Sequence, residues 1–341
     1  MKRSFFALLL GAAACSALAQ APASPQPAAL APATQPAAQA RQQQQFVGLN
    51  EKEGVDVDRF IGRPTNSPVH FTHGTILTQQ ILGPGDPYHP GPNSDVLEYR
   101  KLLSTAELQA GAETPLQAYP DSYFFYVESG EARLDDGKQY WDLKPGFAIL
   151  APPNVAHRLV NSTDKPLEMI MLQWTAGPAA KNSLIVRNTL QLPWCEENAH
   201  WNNYSHCILS ASDGLLQGER IYTVMLPPWV SSQPHSHTPG TEEVWTKISI
   251  GVSPILIGSD LREAEQNTAY LVPPTGKTDH SNLNLSKTEP QWWLYIARGP
   301  DRPANANAPA RPQGTNPAFA ANPNLSRDTT AATVAGKPLP K

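Results

Sequence analysis

His235 and His237 stand one residue apart in the stretch Pro234-His235-Ser236-His237-Thr238-Pro239-Gly240-Thr241-Glu242-Glu243-Val244-Trp245. In a strand, positions i and i+2 point to the same face, so the two imidazoles project together. A carboxylate follows within a few residues, at Glu242 or Glu243. A third imidazole, His280, lies in Pro274-Thr275-Gly276-Lys277-Thr278-Asp279-His280. Three imidazoles with one carboxylate are a donor set for a single divalent transition metal (Mn, Fe, Ni, Cu or Zn) that leaves positions open for substrate or water. The expected ligands are His235, His237, Glu242 and His280. Glu243, Asp279 and Lys277 are the expected acid/base groups, Glu243 alternatively being a partner that orients a ligand histidine. Trp245, Trp229 and Tyr270 are the candidate substrate-lining rings.

The elements that must carry these residues read as strands. Short apolar runs alternate with Gly, Pro, Asn and Asp: Tyr123–Val127, Phe147–Leu150, Leu167–Leu172, Arg220–Leu226, Val244–Ile248, Ala269–Val272 and Trp292–Ile296. A helical period shows only over Leu103 to Leu108. Two stretches repeat one another. Phe147 to Asn161 and Ala269 to Asn284 each carry an apolar strand, a Pro-Pro corner, a polar turn, a His and an Asn four residues after it.

These motifs resemble the cupin family. Cupin barrels carry a His-x-His followed by a Glu and a closing Gly, then a Pro-x-Gly followed by a His and an Asn. In this chain the interval from Gly276 to His280 is one residue longer than that pattern, and Gly251 comes late, which leaves open whether Glu242 or Glu243 points inward. The resemblance spans nearly all of 46–298 and is similar to secreted bacterial bicupins, quercetinase-like or without an assigned reaction. It implies an all-β fold of two tandem cupin (jelly-roll) barrels with disordered tails. In the first repeat only His157 matches a ligand position; Gln117, Tyr119, Ser122 and Tyr123 fall where the others are expected. That barrel is therefore expected to bind no metal and to serve packing or dimerisation, or to take a small apolar ligand between Tyr119, Tyr123 and Phe125.

The expected organisation is a signal peptide over 1–19, a disordered linker over 20–45, barrels over 46–190 and 191–298, and a disordered tail over 299–341. Lys2 and Arg3 precede a short apolar run that ends Ala17-Leu18-Ala19, a secretory signal cleaved after Ala19 that places the protein outside the cell or in the periplasm. The tails hold few bulky apolar residues and many of the 35 prolines. A net charge of −4 gives no basic field for nucleic acid, and no stretch is long and apolar enough to span a membrane. Export favours a disulfide between Cys195 and Cys207, worth about 2–3 kcal/mol for so short a loop; zinc shared with His200 and His206 is the alternative. His70, His73 and His89 read as residues of surface connections.

The resemblance implies an enzyme acting on a small organic molecule, leaning to dioxygenase-type chemistry on an aromatic or polyphenolic compound. Decarboxylase, lyase or isomerase chemistry is the alternative. A non-catalytic binding protein is a further reading, including one that stacks glycans on Trp292 and Trp293. Oligomerisation is left open.

Overall fold

The computed structural model describes residues 56–197, 203–216, 218–300 and 325–339. The expected signal peptide, the linker and His200 lie outside the described residues. Within them the chain is all-β, with helical residues confined to four short 3-10 turns. No helix of the described residues is long and apolar enough to cross a membrane.

Four sheets form two sandwiches. The first pairs a large sheet, ordered Ile185–Asn188, Phe147–Ala151, Ser122–Ser129, Leu167–Trp174, Leu102–Leu108, Ile76–Pro84, Val69–Thr72, with a small one, ordered Arg158–Val160, Ala132–Asp135, Gln139–Leu143, Lys337–Pro338. The second repeats the plan. Its large sheet is ordered Ile61–Gly62, Ala269–Leu271, Glu242–Lys247, Gln291–Arg298, Arg220–Leu226, Tyr204–Leu209, Glu196–Glu197, and its small sheet Val230–Ser231, His280–Asn284, Ser253–Ile257, Asp260–Ala264. Each barrel has its own interior core, around Phe125, Leu134 and Met171 in the first and Trp245, Ile255 and Trp293 in the second. A further core, with Phe124, Leu172, Val244 and Ile296, joins residues of both large sheets.

That arrangement explains the near-continuous apolar strands. Each large sheet is covered on both faces, by its own barrel interior and by the other barrel, so period-2 alternation of polarity disappears. Leu102–Leu108 is a strand for this reason, against the helical expectation: Leu103 joins the shared core while Ala106 and Leu108 enter the barrel interior. The repeat is equally visible in its asparagines. The Asn161 amide donates to the carbonyls of Leu108, Gln109 and Lys165, and the Asn284 amide to those of Leu226, Pro227 and Glu289. Each ties the strand after its histidine to two neighbouring chain segments.

Two segments depart from the expected division of the chain. Ile61–Gly62, expected in the first barrel, instead extends the large sheet of the second, pairing Ile61 with Tyr270 and Gly62 with Ala269. A glycine is required there, because a Cβ on Gly62 would fall 1.7 Å from the Ile81 carbonyl oxygen. Residues 325–339, expected in the disordered tail, run along the first barrel. The Val334 amide donates to Val186, the Trp141 indole donates to the Val334 carbonyl, and Lys337–Pro338 pairs with Tyr140 and Gln139. Composition misses this because the segment adds backbone hydrogen bonds and two small apolar side chains, Ala332 and Val334, to sheets that already exist.

Charged pairs cross the boundary between barrels. Arg187 grips Asp213 with both terminal guanidinium nitrogens, at 2.6 and 3.0 Å. Arg100 reaches Glu219 at 2.6 Å and Glu242 at 3.6 Å, all three side chains being buried. Removing one member of such a group strands the opposite charge in a dry interface. Arg100→Ala is expected to lower stability by about 3–5 kcal/mol in urea unfolding. A second expectation concerns Glu128, which accepts a hydrogen bond from Gln266 of the other barrel. Burial raises its pKa to about 7; Gln266 and Asn267 oppose the shift and Glu168 adds to it. An unfolded glutamate titrates near about 4.3, so the folded state holds the proton more tightly. The stabilisation is therefore full below that value and is lost as pH rises through 7. Melting temperatures of Glu128→Gln should lack this decline between pH 4.5 and 7.5.

Candidate metal centre

The strand Glu242–Lys247 decides which carboxylate serves the site. Successive side chains face opposite ways. Trp245 lies in the interior core of the second barrel and Val244 in the core shared with the first. Glu243 thus enters the interior beside Trp245, while Glu242 turns to the first barrel, where it accepts the Tyr99 amide at 2.8 Å and faces Arg100. The expected ligand Glu242 is replaced by Glu243. Both are buried, at 4% and 1% exposure, so burial alone does not separate them.

His235, His237, Glu243 and His280 converge, with one ligand atom from each within 4.8 Å of all the others. His235 and His280 come from facing segments locked by paired backbone hydrogen bonds. The loops carrying them can meet because Gly276, at φ 77°, has no Cβ; one there would lie 2.6 Å from Pro239 Cγ. The three imidazole centres are 4.6, 4.4 and 5.1 Å apart. His237 Nε2 is 2.7 Å and His280 Nε2 is 2.9 Å from the two oxygens of Glu243. Neither contact has the alignment of a hydrogen bond, so both nitrogens are buried without a properly directed partner.

Two donors bound to one ion at about 2.0–2.1 Å are at most about 4.2 Å apart. The set therefore fits a transition-metal ion after side-chain shifts of about half an ångström. His235 Nδ1 donates to the Gln233 carbonyl at 2.9 Å, which leaves its Nε2 as the ligand-type lone pair. Burial, reinforced by the neighbouring His280 and His237, pushes the His235 pKa down to about 4 and keeps the ring neutral. Burial acts to raise the Glu243 carboxyl, but His280 and His237 outweigh it and hold it well below the usual carboxylate range.

Glu243 is held from behind. The Trp245 indole donates to Oε1 at 2.8 Å and the Tyr295 hydroxyl to Oε2 at 3.1 Å, while Arg220 donates to the Tyr295 oxygen at 2.9 Å. Tyr295 and Arg220 were absent from the sequence expectations. Their signal lay in the pairing of Gln291–Arg298 with Glu242–Lys247, which no local spacing encodes.

The other expected residues divide. Trp245 and Tyr270 are buried, with ring centres 6.3 and 6.5 Å from His280, and act as packing and hydrogen-bonding groups around the ligands. Tyr270 donates to Asn282. Trp229 is 62% exposed and its amide donates to Ser286, so it lines no interior. Lys277 and Asp279 are exposed, and Asp279 alternates away from the buried His280. Trp293 is fully buried, which removes it from glycan stacking. Cys195 and Cys207 are joined by a disulfide, which leaves no thiolate for zinc, and His206 packs on Trp194.

In the first barrel, the bridge Gln117↔His157 matches His235↔His280. Gln117 therefore occupies the place of His235 and Tyr119 that of His237. Strand register puts Tyr123 in the place of Glu243, since Tyr123 pairs with Ala151 just as Glu243 lies beside Val272. The ligand set of the second barrel is not repeated there.

Comparisons with known proteins agree with this architecture. Residues 104–173, in the first barrel, match the family model of the cupin domain. No curated protein matches the chain. Among solved structures, AerE from Microcystis aeruginosa is similar at 15% identity and a TM-score of 0.52, covering 70% of this chain and 99% of that one. An oxalate decarboxylase variant from Bacillus subtilis is similar at 12% identity and a TM-score of 0.52, covering 80% and 85%. Vicilin from hazelnut, Corylus avellana, is similar at 9% identity and a TM-score of 0.51, covering 70% and 85%. Likeness at these identities concerns the fold.

Two substitutions separate the adjacent glutamates. Glu243→Gln is expected to lower the metal content by one ion per chain in elemental analysis, whereas Glu242→Gln keeps that ion and loses stability instead. Trp245→Phe, which frees Glu243 Oε1 of its donor, should weaken metal affinity by about 10–100-fold.

Proposed function

We propose that the chain is a bicupin, two cupin barrels in tandem, and that its second barrel is the working one: a metal-dependent enzyme site for a small organic molecule that binds through oxygen atoms. The observation that carries this reading is the convergence of His235, His237, Glu243 and His280 around one point. A bound transition metal would supply Lewis-acid polarisation and, for a redox-active ion, dioxygen activation.

The chain's own residues set the direction of approach and the orientation of the ligands. Glu243 and His280 are sealed, at 1% side-chain exposure, while His237 keeps 22%. A substrate therefore enters on the side of His235 and His237, both only partly buried. The Tyr88 hydroxyl donates to the Pro274 carbonyl, so the loop around Tyr88, contributed by the first half of the chain, adjoins the second Pro-Pro corner. Trp245 and Tyr295 fix both Glu243 oxygens, which keeps the carboxylate from rotating as a substrate arrives.

Within this class we favour dioxygenation of a phenolic compound. Lys277 and Asp279 are exposed, so neither is placed as a proton donor beside the ligands. Dioxygenation of a phenol would need a group to accept the phenolic proton but no separate acid to protonate a carbanion, as decarboxylation would. Redox-neutral decarboxylation is the competing reading, and likeness to an oxalate decarboxylase supports it by fold alone. The proposal extends to an exported protein, supported by the signal-like N-terminus and the Cys195–Cys207 disulfide.

Purified protein loaded in turn with Fe, Mn, Cu or Ni should consume dioxygen with catechols or flavonols, and His280→Ala should abolish the uptake. Carbon dioxide release from small carboxylic acids without dioxygen uptake would favour the decarboxylase instead. Loading that adds no ion lost in His280→Ala would contradict both.

A further inference from the structure

A second group of polar rings packs together inside the first barrel. His73 follows Val69–Thr72 at a hairpin, Tyr119 precedes Ser122–Ser129, and His157 immediately precedes Arg158–Val160. The ring centres of His73 and Tyr119 are 4.1 Å apart, those of His73 and His157 5.6 Å, and those of Tyr119 and His157 5.4 Å. This is close to the imidazole spacing in the second barrel. His73 and His157 are 5% and 3% exposed, and both Nε2 atoms and the Tyr119 hydroxyl are buried without a hydrogen-bond partner. A buried polar atom left unsatisfied is costly, so three on adjoining rings call for an occupant.

The chemistry of the nitrogens narrows that occupant. His157 Nδ1 donates to the Val155 carbonyl at 2.9 Å, two residues back, as His235 does to Gln233. Its Nε2 is therefore a bare lone pair, held in the tautomer that metal-binding histidines use. His73 adopts φ 48°, a left-handed conformation that non-glycine residues seldom take. Its ring is nevertheless buried.

We infer that His73, Tyr119 and His157 form a second transition-metal site, in the first barrel, completed by a histidine from outside the repeated motif. Two neutral imidazoles and a phenol oxygen suit Zn2+ or Cu2+ rather than Mg2+ or Ca2+. Coordination by the Tyr119 oxygen breaks its O–H bond and releases one proton to solvent per ion bound, and the imidazoles release none. A trapped water is the competing occupant, since it could satisfy the same three atoms.

The test uses full-length protein stripped by chelator and titrated with Zn2+ alone. His237→Ala/His280→Ala, with the second barrel disabled, is expected to retain one ion per chain, and adding His73→Gln should remove it. Should His73→Gln unfold the barrel, Tyr119→Phe in the same background reads the site instead, as proton release falls from one per ion to none. Failure of the double variant to bind zinc, or an ion that survives His73→Gln with proton release unchanged in Tyr119→Phe, overturns the inference.

Discussion

Side-chain alternation along Glu242–Lys247, a strand buried on both faces, is the constraint on which the rest of the molecule depends. One face turns Glu243 and Trp245 into the second barrel; the other turns Glu242 and Val244 toward the first. A one-residue slip would exchange the two glutamates. It would place the carboxylate that balances Arg100 among three histidines, and the one gripped by Trp245 and Tyr295 at the boundary between barrels. Site and interface are therefore specified together. The Arg100–Glu219 and Arg100–Glu242 contacts help fix the register that aims Glu243 inward.

The two barrels divide their labour through small changes on one plan. The first keeps the paired asparagine clamp and the histidine of the second motif, but carries Gln117, Tyr119 and Tyr123 at the remaining ligand positions. Its large sheet supplies one side of the shared core, and its Tyr88 reaches the Pro274 corner of the second barrel. The second returns support, because its large sheet accepts Ile61–Gly62 from the opposite end of the chain. Such crossed contacts make each barrel a structural partner of the other as well as a repeat of it.

Much of this was legible in the sequence. The His235-x-His237 spacing, the Pro-Pro corners and the His-to-Asn interval are local signals, and local spacing survives folding. Glu243 was not separable from Glu242 because both are buried and charged, and only tertiary register assigns their faces. His73 read as a surface residue because its partners, Tyr119 and His157, are distant in sequence. Leu103 to Leu108 looked helical because apolar residues on both faces of a doubly covered strand lose the period of two. Residues 325–339 read as disordered because bulk hydrophobicity does not register a segment that adds itself to a finished edge.

Anomalous diffraction at the absorption edge of the metal retained by the purified protein locates that ion directly. A peak is expected within about 2.0–2.3 Å of a nitrogen on each of His235, His237 and His280 and of an oxygen on Glu243. Density at that point without anomalous signal, or a metal coordinated by Glu242, would contradict that expectation.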